Sequence, residues 1–269
     1  MQKNHTILIC LVLITGFCSM LTFSCKKDDS NNPADETTVK DIDGNVYKIV
    51  TIGDQTWMAE NLRTTRYNDS TLVPLIVYGK SNPAIIGPFV CTYKFTTNAD
   101  TIKTYGRLYN WLAVTAGNGK LCPKGWHIPS DAEWTTLTNY LAAHGYNYDG
   151  SPAATAAPGT TPDNRIAKAL ASSTGWLSSA MEGSVGNTDF PDKWNATGFT
   201  AMPGGARTDV GAFVQMGIGG FWWTNTENSA NTANAFGRSL INSYYSINSG
   251  TTSKSCGFSV RCVKGYLAQ

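Results

Sequence analysis

The chain has 269 residues, 42% hydrophobic and 11% aromatic, enough to bury a sizeable core in one large domain or two small ones. Only 15% are charged, and the balance is filled by Thr, Ser, Asn and 26 Gly, which excludes a coiled coil, a multi-span membrane protein and ordinary disorder. A net charge of +2 offers no basic surface for nucleic acid.

The first segment, MQKNHTILICLVLITGFCSMLTFSCKKDD, pairs Lys3 with an apolar run from Ile7 to Phe17. That run has the length of a signal-peptide core and is too short to span a bilayer. Ser24 then precedes Cys25. A small residue before a Cys just after the apolar run resembles the lipobox of bacterial lipoproteins, with Phe23 and Thr22 departing from the stricter pattern. The resemblance implies cleavage of residues 1–24 and lipid on the Cys25 thiol, so that the membrane is the first expected partner. Cys18 is a weaker candidate, following the bulky Phe17. An ordinary secreted protein cleaved near Ser24 is the alternative. The run Lys26-Lys27-Asp28-Asp29-Ser30 resembles the signal that sends Bacteroidetes-type lipoproteins to the outer leaflet of the outer membrane. Residues 25–38 read as a flexible polar tether. The folded domain is expected over 39–264 and a short tail over 265–269. Losing residues 1–24 removes only Lys3 among the charged residues, which leaves a net charge of +1.

Within the folded region, VYKIVTIGDQTWMAEN reads as two strands about Gly53-Asp54, a tight hairpin with Tyr47, Ile49, Trp57 and Ala59 on one face. Leu72 to Phe95 is broken by Pro74, Pro83 and Pro88 into loops and short edge strands. The spacing of Leu108, Trp111, Leu112 and Thr115 predicts a helix over 107–116. Ser130 and Glu133 form a capping box ahead of a stripe of Trp134, Leu137 and Leu141, and Gly145 ends that helix. Residues 146–162 read as an exposed loop, and 163–172 as a short third helix with Ile166, Ala167 and Leu170 inward. From Gly198 the chain is glycine-punctuated short strands with no fixed repeat. Helices in the first half and strands in the second predict an α+β fold of short antiparallel strands, two to three helices and paired terminal strands.

Of seven Cys, Cys10 and Cys18 leave with the leader and Cys25 takes lipid. Cys91, Cys122, Cys256 and Cys262 remain and admit three connectivities. Cys122–Cys262 is favoured, tying the start of the main helix to the last strand, and Cys91–Cys256 follows by elimination. Free thiols are the alternative for the second pair. No CxxC occurs and only His127 and His144 remain after cleavage, so no zinc site is expected.

The segments DIDGNVYKIVTIGDQTWMAENL, YGRLYNWLAV, CPKGWHIPSDAEW, GFTAMPGGAR, FWWT and FSVRCVK resemble, in this order, the Fibrobacter succinogenes major paralogous domain family. The resemblance covers roughly residues 39–264. It implies a C-type-lectin-like fold related to the formylglycine-generating sulfatase-modifying enzymes, in a family largely exported and without an assigned reaction.

No catalytic constellation emerges. Those related enzymes use two late cysteines to hold copper, but Cys262 sits in a strand and neither it nor Cys256 lies in the catalytic context. His127 reads as a packed residue and Glu133 as part of the cap. There is no GxSxG or HExxH. Trp194-Asn195-Ala196 lacks the acid of the calcium-lectin triplet, and Asp41-Ile42-Asp43-Gly44-Asn45 lacks the later Glu of a calcium loop, so a turn explains it better. No cofactor is expected. The late segment carries Trp223, Asn225, Asn242, Tyr244, Tyr245 and Asn248, side chains suited to adaptable recognition. The expectation is a non-catalytic surface module that binds a glycan or a protein through these residues. An enzyme of the sulfatase-modifying type and an adhesive component are the alternatives.

Overall fold

The hairpin about Gly53-Asp54 is the seed of the first sheet. A computed structural model describes residues 36–77, 87–152 and 164–265. The expected leader, Cys25 and the expected tether up to residue 35 lie outside the described residues. In chain order the strands and helices begin with β1 (Thr38–Lys40), β2 (Val46–Ile52), β3 (Gln55–Met58) and β4 (Val90–Cys91). Next come α1 (Ala99–Tyr105), β5 (Leu108–Tyr109), α2 (Trp111–Thr115), β6 (Trp126–His127), α3 (Asp131–Ala143) and α4 (Ala167–Leu170). The second half holds β7 (Gly204–Arg207), β8 (Phe213–Met216), β9 (Gly219–Glu227), β10 (Asn234–Ile241), β11 (Asn248–Ser253) and β12 (Val263–Lys264). One sheet runs β1-β2-β3-β12-β6, a second runs β11-β10-β9-β7-β8, and β4 pairs with β5. The architecture is α+β, dominated by strands. Pairing is antiparallel except between β7 and β9. The terminal strands meet as expected, with Val263 opposite Trp57 and the Met58 N–H donating to the Cys262 carbonyl at 3.0 Å. β1 starts at Thr38, the last residue of the expected tether.

Strands β3 and β9, and the chain at Cys262–Val263 where β12 starts, are buried on both faces, because successive side chains of a strand point to opposite sides. Met58, Trp223 and Cys262 enter one apolar cluster with Tyr47, Tyr109 and Trp126. Their chain neighbours Trp57, Trp222 and Val263 enter another, with Trp134, Leu137, Leu141, Ile166 and Phe199. This corrects the expected face of the hairpin. The two-residue turn pairs Ile49 with Met58 and Val50 with Trp57, so Trp57 lies opposite to Tyr47 and Ile49. Trp57 instead packs on Trp134, ring centroids 4.8 Å apart.

The helices also shift from the expected pattern. Asn110 begins α2: its side-chain oxygen accepts from the Ala113 N–H at 3.0 Å and from the Phe89 N–H at 2.8 Å. The residues before it are therefore extended and pair with β4, and the helix expected over 107–116 is confined to 111–115. Helix α1, capped by Asn98, was not anticipated; it has no buried side chain and so no periodic apolar signal. It stops at Gly106 (φ +75°), where a Cβ would lie 2.6 Å from the Asn61 Cβ. Helix α3 has its capping box as read, with His144 closing it and Gly145 following at φ +80°. The helix expected over 163–172 is the single turn α4, buried all round, Lys168 included. Of the loop expected over 146–162, Asn147 and Tyr148 are buried, and 153–163 lies outside the described residues.

Cys122 and Cys262 form a disulfide, as favoured. Cys91 and Cys256 do not pair: each is a free, buried thiol. Cys91 packs with Ile76, Phe89 and Leu108, while Cys256 belongs to the cluster of Tyr109 and Trp223. Elimination failed because even parity says nothing about where strand order puts each side chain. Alkylation of the unfolded, unreduced domain spanning residues 36–269 is expected to label two of its four cysteines, Cys91 and Cys256. Replacing Cys122 and Cys262 by Ala should cost about 2–4 kcal/mol in urea unfolding. Labelling of none, or no change in stability, would refute the assignment.

Candidate functional site

The six residues expected to bind a ligand do not form one surface. Trp223 is fully buried; its Nε1 donates to the Tyr109 carbonyl at 2.7 Å and its ring stacks on Phe258 at 4.6 Å. Asn225 ties β9 to the loop before α3, its Nδ2 donating to the Ile128 carbonyl and its N–H to the Pro129 carbonyl, both at 3.0 Å. Trp223, wholly buried, is structural, which corrects its assignment to a ligand; Asn225 is half-buried with its amide engaged within the chain. Asn242, Tyr244, Tyr245 and Asn248 lie toward the other end of the β9–β10 pair, since Ile241 faces Gly219 and Ala235 faces Glu227. Asn225 is six residue steps along the strand from Gly219, about 20 Å at the usual rise.

Two of those four, Asn242 and Tyr244, meet a long irregular segment. Residues 172–203 contain no strand or α-helix, only a short 3-10 turn at Pro191–Lys193. This loop is laced to the β10–β11 turn through the backbone. The Gly186 N–H donates to the Asn242 carbonyl at 2.6 Å, and the Val185 N–H to the Tyr244 carbonyl at 3.2 Å. The Asn242 amide donates back to the Leu177 carbonyl at 3.2 Å, and the Leu177 N–H reaches the Gly217 carbonyl at 2.7 Å. Tyr245 is half-buried, with the Tyr148 ring 5.9 Å away and the Arg165 guanidinium 5.8 Å from its own ring. Asn248 is inside β11, opposite Ser239.

Lys168 holds the loop from beneath. Its side chain is wholly buried and its Nζ donates to the Asn187 carbonyl at 2.7 Å, to the Asp189 carbonyl and to the Asp189 carboxylate. The Trp194 ring lies 5.0 Å from the same ammonium. Fixed in this way, the loop leaves Leu177 (55% exposed) and Met181 facing outward, the β10–β11 turn leaves Tyr244 (50% exposed), and the β8–β9 turn leaves Ile218. The available signal for this face was a stretch of about 30 residues with no apolar period that nonetheless carries Trp176, Leu177, Met181, Phe190 and Trp194; long structureless loops in a compact domain are commonly functional.

The calcium-like run beside β1 is a turn. Asp41 accepts from the Asn45 N–H at 2.9 Å and from the Tyr47 hydroxyl at 2.5 Å. Asp43 accepts from the Thr65 N–H at 2.6 Å and pairs with Arg66 at 3.3 Å. Among the described residues no cluster of three or more His, Cys, Asp or Glu is placed to hold a metal.

A family model matches residues 50–264, from within β2 to the end of β12. The chain belongs to the Fibrobacter succinogenes major domain family. No curated protein and no solved structure matches it. Within this Fibrobacter succinogenes major domain the match takes in both sheets, the disulfide and the 172–203 loop, and leaves out β1.

His127 closes the same domain at its C-terminal end. Its Nδ1 is 2.9 Å from the Gly265 carbonyl and its Nε2 is 2.7 Å from Glu133 Oε1. Both partners are acceptors, so both ring nitrogens donate, which only the imidazolium can do. The other Glu133 oxygen takes the Ser130 N–H at 2.8 Å, so one carboxylate serves cap and ion pair together. Burial disfavours charge on both groups. The mutual hydrogen bond, with Gly265 and Ser130, outweighs it and holds His127 above its ordinary 6.5 and Glu133 below its ordinary 4.5. A raised histidine stabilises fully below pH 6.5 and loses that contribution as pH rises through its folded pKa. A lowered glutamate stabilises above pH 4.5 and loses it as pH falls through its own. The pair therefore contributes most between pH 4.5 and 6.5. Urea unfolding from pH 5 to 9 is expected to show stability falling on the alkaline side, with His127→Gln flattening that fall. An unchanged profile in the variant would remove the assignment.

Proposed function

We propose that this chain is a non-catalytic, lipid-anchored module of the outer-membrane surface that binds a protein partner through the face built from the 172–203 loop and the β10–β11 turn. The supporting observation is the exposure of Leu177, Met181, Ile218 and Tyr244 on backbone that Lys168 and Asn242 hold fixed. Large apolar and aromatic side chains presented on a pre-ordered surface lose little entropy on binding and form the centre of protein interfaces. A glycan site needs side-chain amides turned to the ligand, whereas the Asn242 amide donates to the Leu177 and Ser178 carbonyls and the Asn225 amide to Ile128. The geometry therefore favours a protein over a glycan.

The anchor rests on Ser24-Cys25 after a short apolar run, followed by a charged polar tether. Among the described residues no helix is long and apolar enough to cross a membrane. In fold, we read the domain as C-type-lectin-like. Supporting this are the pairing of β12 with β3 and the disulfide that joins the last strand to the segment just before α3.

The domain from residue 36 onward, screened on protein and glycan arrays, is expected to bind protein. Leu177→Ser with Tyr244→Ala should weaken that binding by about tenfold or more, with thermal unfolding unchanged. Retained binding in the double variant, or binding to glycans alone, would count against the reading. For the anchor, growth of the producing bacterium with an alkyne fatty acid should label the native chain and not Cys25→Ser. Equal labelling of the two would exclude Cys25 as the lipid site.

A further inference from the structure

Arg207 ends β7 in an unusual state. It is 1% exposed, and its backbone is fixed to Gly257 by reciprocal hydrogen bonds of 2.9 and 2.8 Å. Its guanidinium lies 5.0 Å from the centre of the Phe89 ring. Nη1 makes one long bond, 3.4 Å, to the neighbouring Thr208 carbonyl. Nε and Nη2 are buried and have no partner. No ion pair among the described residues includes Arg207. Arg107 adds a second positive charge that acts, with Arg207, on Cys91. The nearest acid on the same turn, Asp209, is exposed and accepts from the Val210 N–H at 2.9 Å.

A buried guanidinium without a counter-charge is strongly disfavoured. The two vacant atoms share one edge of the guanidinium, whose parallel N–H groups fit an acceptor that bridges them. The turn 208–212 closes over this edge. Its Gly211 (φ +91°) comes so near that a Cβ there would lie 3.0 Å from Nη2. The thiols of Cys91 and Cys256 lie within reach of the same charge, and burial keeps both protonated, pushing Cys91 up to about 12 against the pull of Arg207 and Arg107. They are weak donors and not anions, so they do not neutralise the arginine.

We propose that the Nε–Nη2 edge of Arg207 is a binding site for one small anion, of halide or simple carboxylate size, enclosed by the 208–212 turn. The small size follows from the closeness of Gly211, which leaves no room for a sugar phosphate or nucleotide. The anion is the counter-charge that the fold omits, so its binding is linked to folding.

The test compares the domain dialysed into bromide or formate with the same protein in gluconate, at equal ionic strength, by urea unfolding. The small anions should raise the folded-to-unfolded ratio about tenfold for each tenfold rise in concentration above Kd. Arg207→Met should give the same stability in all three salts. If Arg207→Met does not fold, wild-type crystals grown in bromide decide. Anomalous density on the Nε–Nη2 edge supports the proposal. Its absence there, or a wild-type stability indifferent to the anion, overturns it and leaves water as the occupant.

Discussion

Asn61 and Arg261 join parts of the chain 200 residues apart. The Asn61 Oδ1 accepts from Arg261 Nε at 3.0 Å and from Trp222 Nε1 at 2.9 Å, while its amide donates to the Tyr105 carbonyl at 2.9 Å. Arg261, wholly buried, also donates to the Met58, Phe199 and Thr200 carbonyls and lies 4.2 Å from the Phe199 ring centre. Burial lowers its pKa and the Glu60 carboxylate opposes that, and the charge is held by acceptors from two separate segments, 58–61 and 199–200. A buried charge of this kind tolerates no loss of partners. The N-terminal hairpin, β9, the turn at residue 199 and the last strand must therefore be in place together.

That constraint explains why short strands suffice. β12 has two residues, yet it sits between β3 and β6 in the first sheet and is followed at once by the Gly265 carbonyl that His127 grips. The Arg261 network, the disulfide at Cys262 and the Gly265 carbonyl that His127 holds fall within five residues of one another along the chain end, each reaching a different element. With so much of the domain closed through this end, the 172–203 loop carries none of the sheet pairing beyond one bridge at Ala201. It is free to present side chains while Lys168 keeps its backbone ordered.

Arg261 and Arg207 divide by what surrounds them. Arg261 has every reach satisfied from within the chain. Arg207, beneath a turn of small residues, has one long bond and an open edge. Residue type and burial are the same, and only the second creates a demand for something outside the chain.

The hairpin about Gly53-Asp54, the capped helix α3 and the pairing of the terminal strands were legible in the sequence, because each depends on local turn chemistry, on a cap or on a simple order of elements. Helix α1 was not legible, since it buries nothing and so has no apolar period. The faces of the hairpin were misread because the sheet is buried on both sides, which erases the alternation that marks one face. The same burial put Trp223 in the core when its composition read as a ligand contact. Composition identified Tyr244 as a surface aromatic but not its neighbours. Leu177, Met181 and Ile218 come from distant positions that only the tertiary hydrogen bonds of Gly186, Asn242 and Gly217 bring together. By itself the sequence determined the capped helix and the hairpin, and it favoured the one disulfide that forms. Tertiary structure decided which cysteines stay free, which buried arginine nitrogens lack a hydrogen-bond partner among the described residues and which large side chains stay exposed, because each depends on contacts between segments that no local pattern encodes.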